Sequence, residues 1–337
     1  MFKYDKLTLS ILDQLPIREG GHPQDPVNEA IILAKKAEAW GYHRYWTAQF
    51  HGTVSFTSAA PELVACRLAA ETHTLRVGAG GILLSNASPY VVAEQFKMLE
   101  TFFPGRIDLG IGRVPGGDAA THAACLYGSP FGQNAFEQKI MDLQHFLAGT
   151  PPLNPEWRTV KATPITDHHP QLWSLGSGES SAAFAARHGM ALSFAHFINP
   201  YIYADVIAAY RKHFQPSVFY PEPVANVCVY AICCDTEEEA IRQRASRDHW
   251  WAEVFQGLDP PYRSVEKGLS YPYSEAQLEK LAIKRDAVVI GTPEQVRAQI
   301  EAIAAAAQVD EVMIQTMCFD FSVRLRSFEL IAEAFRG

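Results

Sequence analysis

The sequence has no excess of positive charge. Its 29 Lys and Arg stand against 37 Asp and Glu, a formal net charge of -8. With a pI near 5.8, no basic face is available for nucleic acid or anionic lipid. No run approaches the roughly 20 apolar residues that span a bilayer. Met1 leads into Lys3, Asp5 and Lys6 rather than the apolar core of a signal peptide, so a cytoplasmic protein is expected. None of the six cysteines forms a C-x-x-C pair, and most lie inside apolar segments. They read as small buried hydrophobes in a reducing compartment. Metal-ligand spacing is absent too: His168 and His169 are adjacent, and adjacent side chains on an extended chain point opposite ways. There is no internal repeat and no low-complexity segment. No glycine fingerprint follows the first apolar run, which argues against an open, doubly wound sheet.

What is present is a chain of 337 residues, 48% hydrophobic, long enough for one large α/β unit. Short apolar runs at 7–12, 45–48, 77–84, 107–112, 171–175, 190–195, 224–234 and 311–316 read as strands. Nearly all are separated by helical segments, among them 59–71, whose apolar face is Leu63, Val64 and Leu68, and 131–147. Eight strands in this alternation predict a parallel sheet closed by right-handed crossovers into a TIM (β/α)8 barrel, one domain over residues 1–337. Residues 150–170, with five prolines, form an excursion. Residues 257–285 are polar and irregular and read as an insertion in the barrel.

The stretch 77–113 organises the rest. It carries Gly78, Gly80 and Gly81 in one strand, where glycine usually marks a close approach of backbone or ligand. Ser88-Pro89 opens its helix, and its second strand ends on Arg113. Active sites of such barrels lie at the C-terminal ends of the strands. The residues found there are Asp13 and Gln14, Gln49 and His51, Ser85 and Asn86, Arg113, Ser177 and Gly178, His196 and Asn199, then Gln315 and Asp320. Gly176-Ser177-Gly178-Glu179-Ser180-Ser181 at a helix start offers N–H groups and hydroxyls to an anion, with Arg113 as countercharge. The serine run reads equally as a plain helix cap, Arg113 as a salt bridge, and His51 as a loop histidine packed on Phe50 or Phe56.

Several stretches together resemble the bacterial-luciferase-like flavin monooxygenases, in the small single-chain subgroup. They are LTLSILDQLPI, GYHRYWTAQFHG, LRVGAGGILLSNASPYVVAEQF, PGRIDLGIGR with PGGD, LWSLGSGESSAAFAARHG and VVIGTPEQV. The resemblance covers essentially the whole chain. It implies a TIM barrel holding FMN at the strands' C-terminal ends, with Arg113, Ser177, Gly178 and Ser181 at the phosphate. It also implies a cis Gly80–Gly81 bond against the ring, and residues 257–285 as a lid over the mouth. The implied activity is monooxygenation of a small, apolar organic substrate by O2 and reduced FMN, which a separate NAD(P)H-flavin reductase delivers. Relatives are commonly homodimers, and the helices before residue 150 are the expected interface. Where many relatives carry Glu-His-His this chain has Gln49-Phe50-His51, so the usual catalytic histidine falls on Phe50. His51 is the remaining candidate for proton transfer. Two other readings stay open: a deazaflavin-dependent hydride-transfer oxidoreductase, and a non-catalytic flavin-binding protein.

Overall fold

The computed structural model describes residues 7–114, 116–127 and 135–336. Along the chain come β1 (Thr8–Asp13), α1 (Asp25–Trp40), β2 (Arg44–Thr47), α2 (Pro61–Ala70), β3 (Arg76–Leu83), α3 (Pro89–Phe102) and β4 (Ile107–Gly112). Next are α4 (Ala119–Cys125), α5 (Phe136–Ala148), β5 (Gln171–Gly176), α6 (Glu179–Arg187), β6 (Ala191–Ala195), α7 (Tyr203–His213) and β7 (Ala225–Cys233). The chain ends with α8 (Glu237–Val254), α9 (Val265–Ser270), α10 (Glu275–Asp286), β8 (Val288–Gly291), α11 (Pro293–Ala307), β9 (Glu311–Gln315) and α12 (Phe321–Ala334).

Every strand pairing is parallel, and the neighbours run β6-β5-β4-β3-β2-β1-β9-β7, with β6 on β7 closing the ring. Eight strands therefore form the TIM barrel that the alternation of elements predicts. Alternate residues of each strand face outward: Ile11, Tyr45, Val77, Leu109 and Val312 lie in the main core with the surrounding helices. The inward set includes Leu12, Trp46, Trp173, Cys228 and Met313, a separate apolar layer within the barrel. Below it the N-terminal end is polar: Arg44 pairs with Asp108 at 2.8 Å and with Glu311 at 2.7 Å, and Arg76 pairs with Asp108 at 2.6 Å. Among the described residues, no helix is long and apolar enough to cross a membrane.

The interior explains the glycines of β3 and β4. Trp46 and Trp173 meet edge to face, ring centroids 5.3 Å apart, and two indoles overfill a ring of this size unless facing positions are small. A Cβ on Gly80 would come within 2.9 Å of both Trp46 and Leu12, and one on Gly110 within 2.5 Å of the Ala79 carbonyl. What approaches these glycines is the barrel's own core.

The structure corrects several expectations. A ninth strand, β8, joins β7 outside the ring; four residues ahead of a helix start gave too short an apolar run to separate from the helix. Residues 257–285 are not irregular, since they hold α9 and α10. Ser274 and Gln277 cap α10 reciprocally, a spacing legible in the sequence. The short α4 falls in a stretch to which no element was assigned, and Asp118 caps it through the Thr121 amide. The predicted start of α5 at Phe131 falls outside the described residues, as does Pro115. In α2 the buried side is Pro61, Ala65, Leu68 and Ala69, while Leu63 is 70% exposed.

Candidate functional site at the barrel mouth

The C-terminal strand ends bring most of the predicted residues to one rim, but not Asp13. On β1 the inward residue is Leu12, so Asp13 turns outward by strand parity. Its carboxylate accepts the Leu15 amide at 2.8 Å and the Tyr45 hydroxyl at 2.5 Å, and pairs with Arg324 of α12 at 2.6 Å. Asp13 fastens β1 to α12 and takes no part in the mouth.

The loop after β2 is held from two sides. Gln49 accepts the Leu83 amide at 2.7 Å and donates to the Ala59 carbonyl at 3.1 Å, bracing the end of β3. Asp259, at the start of the insertion, accepts from Thr53, Val54 and Ser55. Sequence reasoning missed Asp259, because no local pattern links it to a loop some 200 residues earlier. Between these anchors Phe50 stacks on Phe56 at 4.2 Å, and Phe56 meets the edge of Trp250 at 5.7 Å. His51 beside them is half-buried. Burial lowers its pKa, and the charge of Glu62 offsets part of that.

The ends of β3 and β4 are tied by Ser85, whose hydroxyl donates to the Arg113 carbonyl at 2.7 Å. Lys139 of α5 donates to the Leu84 and Ser85 carbonyls at 3.2 and 2.9 Å. The Arg113 guanidinium itself is exposed and has no ion-pair partner among the described residues. The salt-bridge reading of Arg113 therefore falls away. The Gly80–Gly81 bond is cis, and both residues are buried against Leu12, Trp46, Leu175 and Gly110.

One strand further round, α6 begins at Gly178 with no side-chain cap. The Ser181 hydroxyl donates back to the Gly178 carbonyl at 2.7 Å. A Cβ on Gly176 would stand 2.0 Å from that hydroxyl, whereas one on Gly178 would meet nothing within 4 Å. Asn199 donates to the Ser177 carbonyl at 3.3 Å. Open space thus lies before a helix start whose first N–H groups are uncapped, which favours an anion. Arg113 and Gly176 each lie two residues past the paired Ile111 and Ser174, so the free cation and this cradle are on adjacent strand ends. Together they fit a phosphate monoester.

Two further rim groups are buried and unpaired. His196 keeps Nδ1 without a partner, packs edge-on against Tyr203 at 4.9 Å, and has its pKa pushed down to about 4 by burial. Gln315 ends β9 with its Oε1 unpaired. A cavity of about 710 Å³ opens beside the β3 end of this rim, between the start of α3, α5 and residues 153–160. It includes Asn86 but not Arg113, Ser177, Gly178 or Ser181.

Residues 8–311 match the luciferase-like monooxygenase family. A luciferase-like monooxygenase of Escherichia coli (strain K12) is 34% identical, over 96% of either chain. The N-acetyl-S-alkylcysteine monooxygenase of Bacillus subtilis (strain 168) is 30% identical over 97% of this chain and 98% of its own. The crystal structure of apo-MsnO8 superposes with a TM-score of 0.89 at 33% identity, covering 98% of both chains. A barrel whose free arginine and uncapped helix share one rim, matched along nearly its whole length, belongs to the luciferase-like monooxygenase family of oxidoreductases.

Proposed function

We propose that this protein is a flavin-dependent monooxygenase that uses reduced FMN and O2 on a small organic substrate. The observation that carries this reading is the pairing of unpartnered Arg113 with the uncapped start of α6. In it, Arg113 and the Ser177, Gly178 and Ser181 segment hold the phosphate, and β3 at Gly80 and Gly81 walls the ring's side of the mouth. Bound FMN supplies the activation of O2. The chain's residues do the rest. Phe50, Phe56 and Trp250 exclude water from the mouth and receive an apolar group. His51, whose lowered pKa leaves it neutral at pH 7, accepts a proton and passes it on. Residues 257–285, docked through Asp259 on the loop that carries His51, act as the lid. The Bacillus subtilis relative is named for N-acetyl-S-alkylcysteine, and an S-alkyl arm suits this aromatic rim.

A separate NAD(P)H-flavin reductase is the transient donor of reduced flavin. The chain is a homodimer in this reading, supported by exposed Val91, Met98 and Phe102 along one stripe of α3. Phe50, in the place of the usual histidine, favours a second reading, flavin binding without turnover. Titration with reduced FMN and with reduced deazaflavin, followed by O2 consumption in the presence of a flavin reductase, separates these outcomes. FMN binding with substrate-dependent O2 uptake supports the proposal. Binding without uptake leaves the second reading, and preference for deazaflavin overturns FMN as the cofactor.

A further inference from the structure

Gln315 lies at the end of β9 in register with Leu12 of β1 and Tyr230 of β7. It is 3% exposed. Its Oε1 has no hydrogen-bond partner, and its Nε2 donates to no described residue. A carboxamide offers a donor and an acceptor side by side, and burying it unpaired is unfavourable. Its neighbours are satisfied: the Tyr230 hydroxyl donates to the Met317 carbonyl at 2.7 Å, and Thr316 donates to the Ala231 carbonyl at 2.8 Å. The amide of Gln315 is the group left over.

Its position in the ring matters. In the closed order β1-β2-β3-β4-β5-β6-β7-β9, β9 is four strands from β4 in either direction. The phosphate cradle is at the β4 and β5 ends. A ligand anchored there and laid across the mouth therefore ends at the wall that carries Gln315. A flavin ring system has one apolar dimethylbenzene end and one pyrimidinedione end whose edge reads carbonyl, N–H, carbonyl. Only the second complements a carboxamide.

We propose that Gln315 recognises the imide edge of the flavin, Oε1 accepting from the ring N3–H and Nε2 donating to an adjacent carbonyl. The inference rests on the flavin reading given above and adds the residue that orients the ring. Ligands that lack an imide edge, or whose N3 is blocked, are selected against.

The test compares FMN with N3-methyl-FMN on the wild-type protein and on Gln315→Met, by flavin fluorescence and calorimetry. Gln315→Leu is the substitute if the first variant fails to fold. The wild-type protein is expected to bind FMN about tenfold more tightly than the methylated analogue. In the variant, FMN binding weakens roughly three- to tenfold while N3-methyl-FMN binding stays the same, so the discrimination disappears. Flavin binding with equal discrimination in both proteins, or an equal loss for both ligands, overturns the role of Gln315. Failure of the wild-type protein to bind either flavin overturns the flavin reading itself.

Discussion

The Ser55 hydroxyl donates to the Asp259 carboxylate at 2.6 Å. The same carboxylate takes the Thr53 hydroxyl at 2.7 Å and the Val54 amide at 2.6 Å. One acidic side chain thereby joins the insertion to the loop that carries Phe50 and His51. Asp259→Ala is expected to lower stability by about 1–2 kcal/mol, the modest sum of partly exposed hydrogen bonds, in urea unfolding. Amide exchange should rise at residues 53–58 rather than across the barrel. Burial raises the Asp259 pKa, but the Ser55, Thr53 and Val54 donors outweigh it and the net shift is downward. A carboxylate depressed in the folded state stabilises above its unfolded value, about pH 4. That contribution is lost as pH falls through the lower folded value. An Asp259→Ala protein with unchanged exchange in the loop would refute the clamp.

Asp13 and Arg324 form a buried pair between β1 and α12. Burial disfavours the Arg324 charge, and Asp13 overrides it, so the guanidinium pKa is raised. Asp13→Asn strands a buried cation and should destabilise by about 3–5 kcal/mol, read as a lower urea midpoint. Flavin affinity of the folded fraction should not change, since Asp13 faces away from the mouth. Weaker flavin binding at full folding would return Asp13 to the site.

His196 gives the mouth a pH signature. Burial sets its pKa at about 4 in the folded chain, below an unfolded value of about 6.5. Between those values the unfolded chain binds the extra proton, so stability drops by up to about 1.4 kcal/mol for each unit by which pH is lowered. Unfolding curves from pH 7 to 4 should show that decline, and His196→Gln should flatten it. Parallel profiles for the two proteins would place the loss elsewhere.

Arg113 has no ion-pair partner among the described residues. Arg113→Ala should leave the unfolding midpoint within about 0.5 kcal/mol and weaken FMN binding by about 1.5–3 kcal/mol, the range for a charged hydrogen bond. Riboflavin, which lacks the phosphate, should bind both proteins alike. A loss of riboflavin affinity in the variant would show that Arg113 does not act on the phosphate.

His51→Ala should slow turnover by roughly a hundredfold or more if His51 transfers the proton, with FMN affinity retained. Full turnover in the variant would move that role to another group and leave His51 as a packing residue of the loop.

The barrel was legible because outward strand residues and helix caps repeat with simple periods. Gly176 to Ser181 and Arg113 were legible as neighbours because they follow consecutive strands. Asp13 was misplaced for want of a parity check: Leu12 fills the interior, so its successor has to face the helices. The glycines of β3 pointed to a close approach, and the approach the structure shows at Gly80 is that of Trp46 and Leu12. Tertiary partners such as Asp259 leave no local trace, since the loop they hold lies far away in sequence.

β7 divides its length between two partners. Its first half, Ala225 to Cys228, lies against β6, and its second half, Tyr230 to Cys233, lies against β8. At the base the circumference is eight strands. Past the end of its contact with β6, β7 carries β8 along its edge, outside the eight-strand ring. β7 thus changes partner along its length, and β8 buttresses the wall from outside without adding to the ring. Inside that ring the edge-to-face indoles of Trp46 and Trp173 form a floor beneath the rim groups.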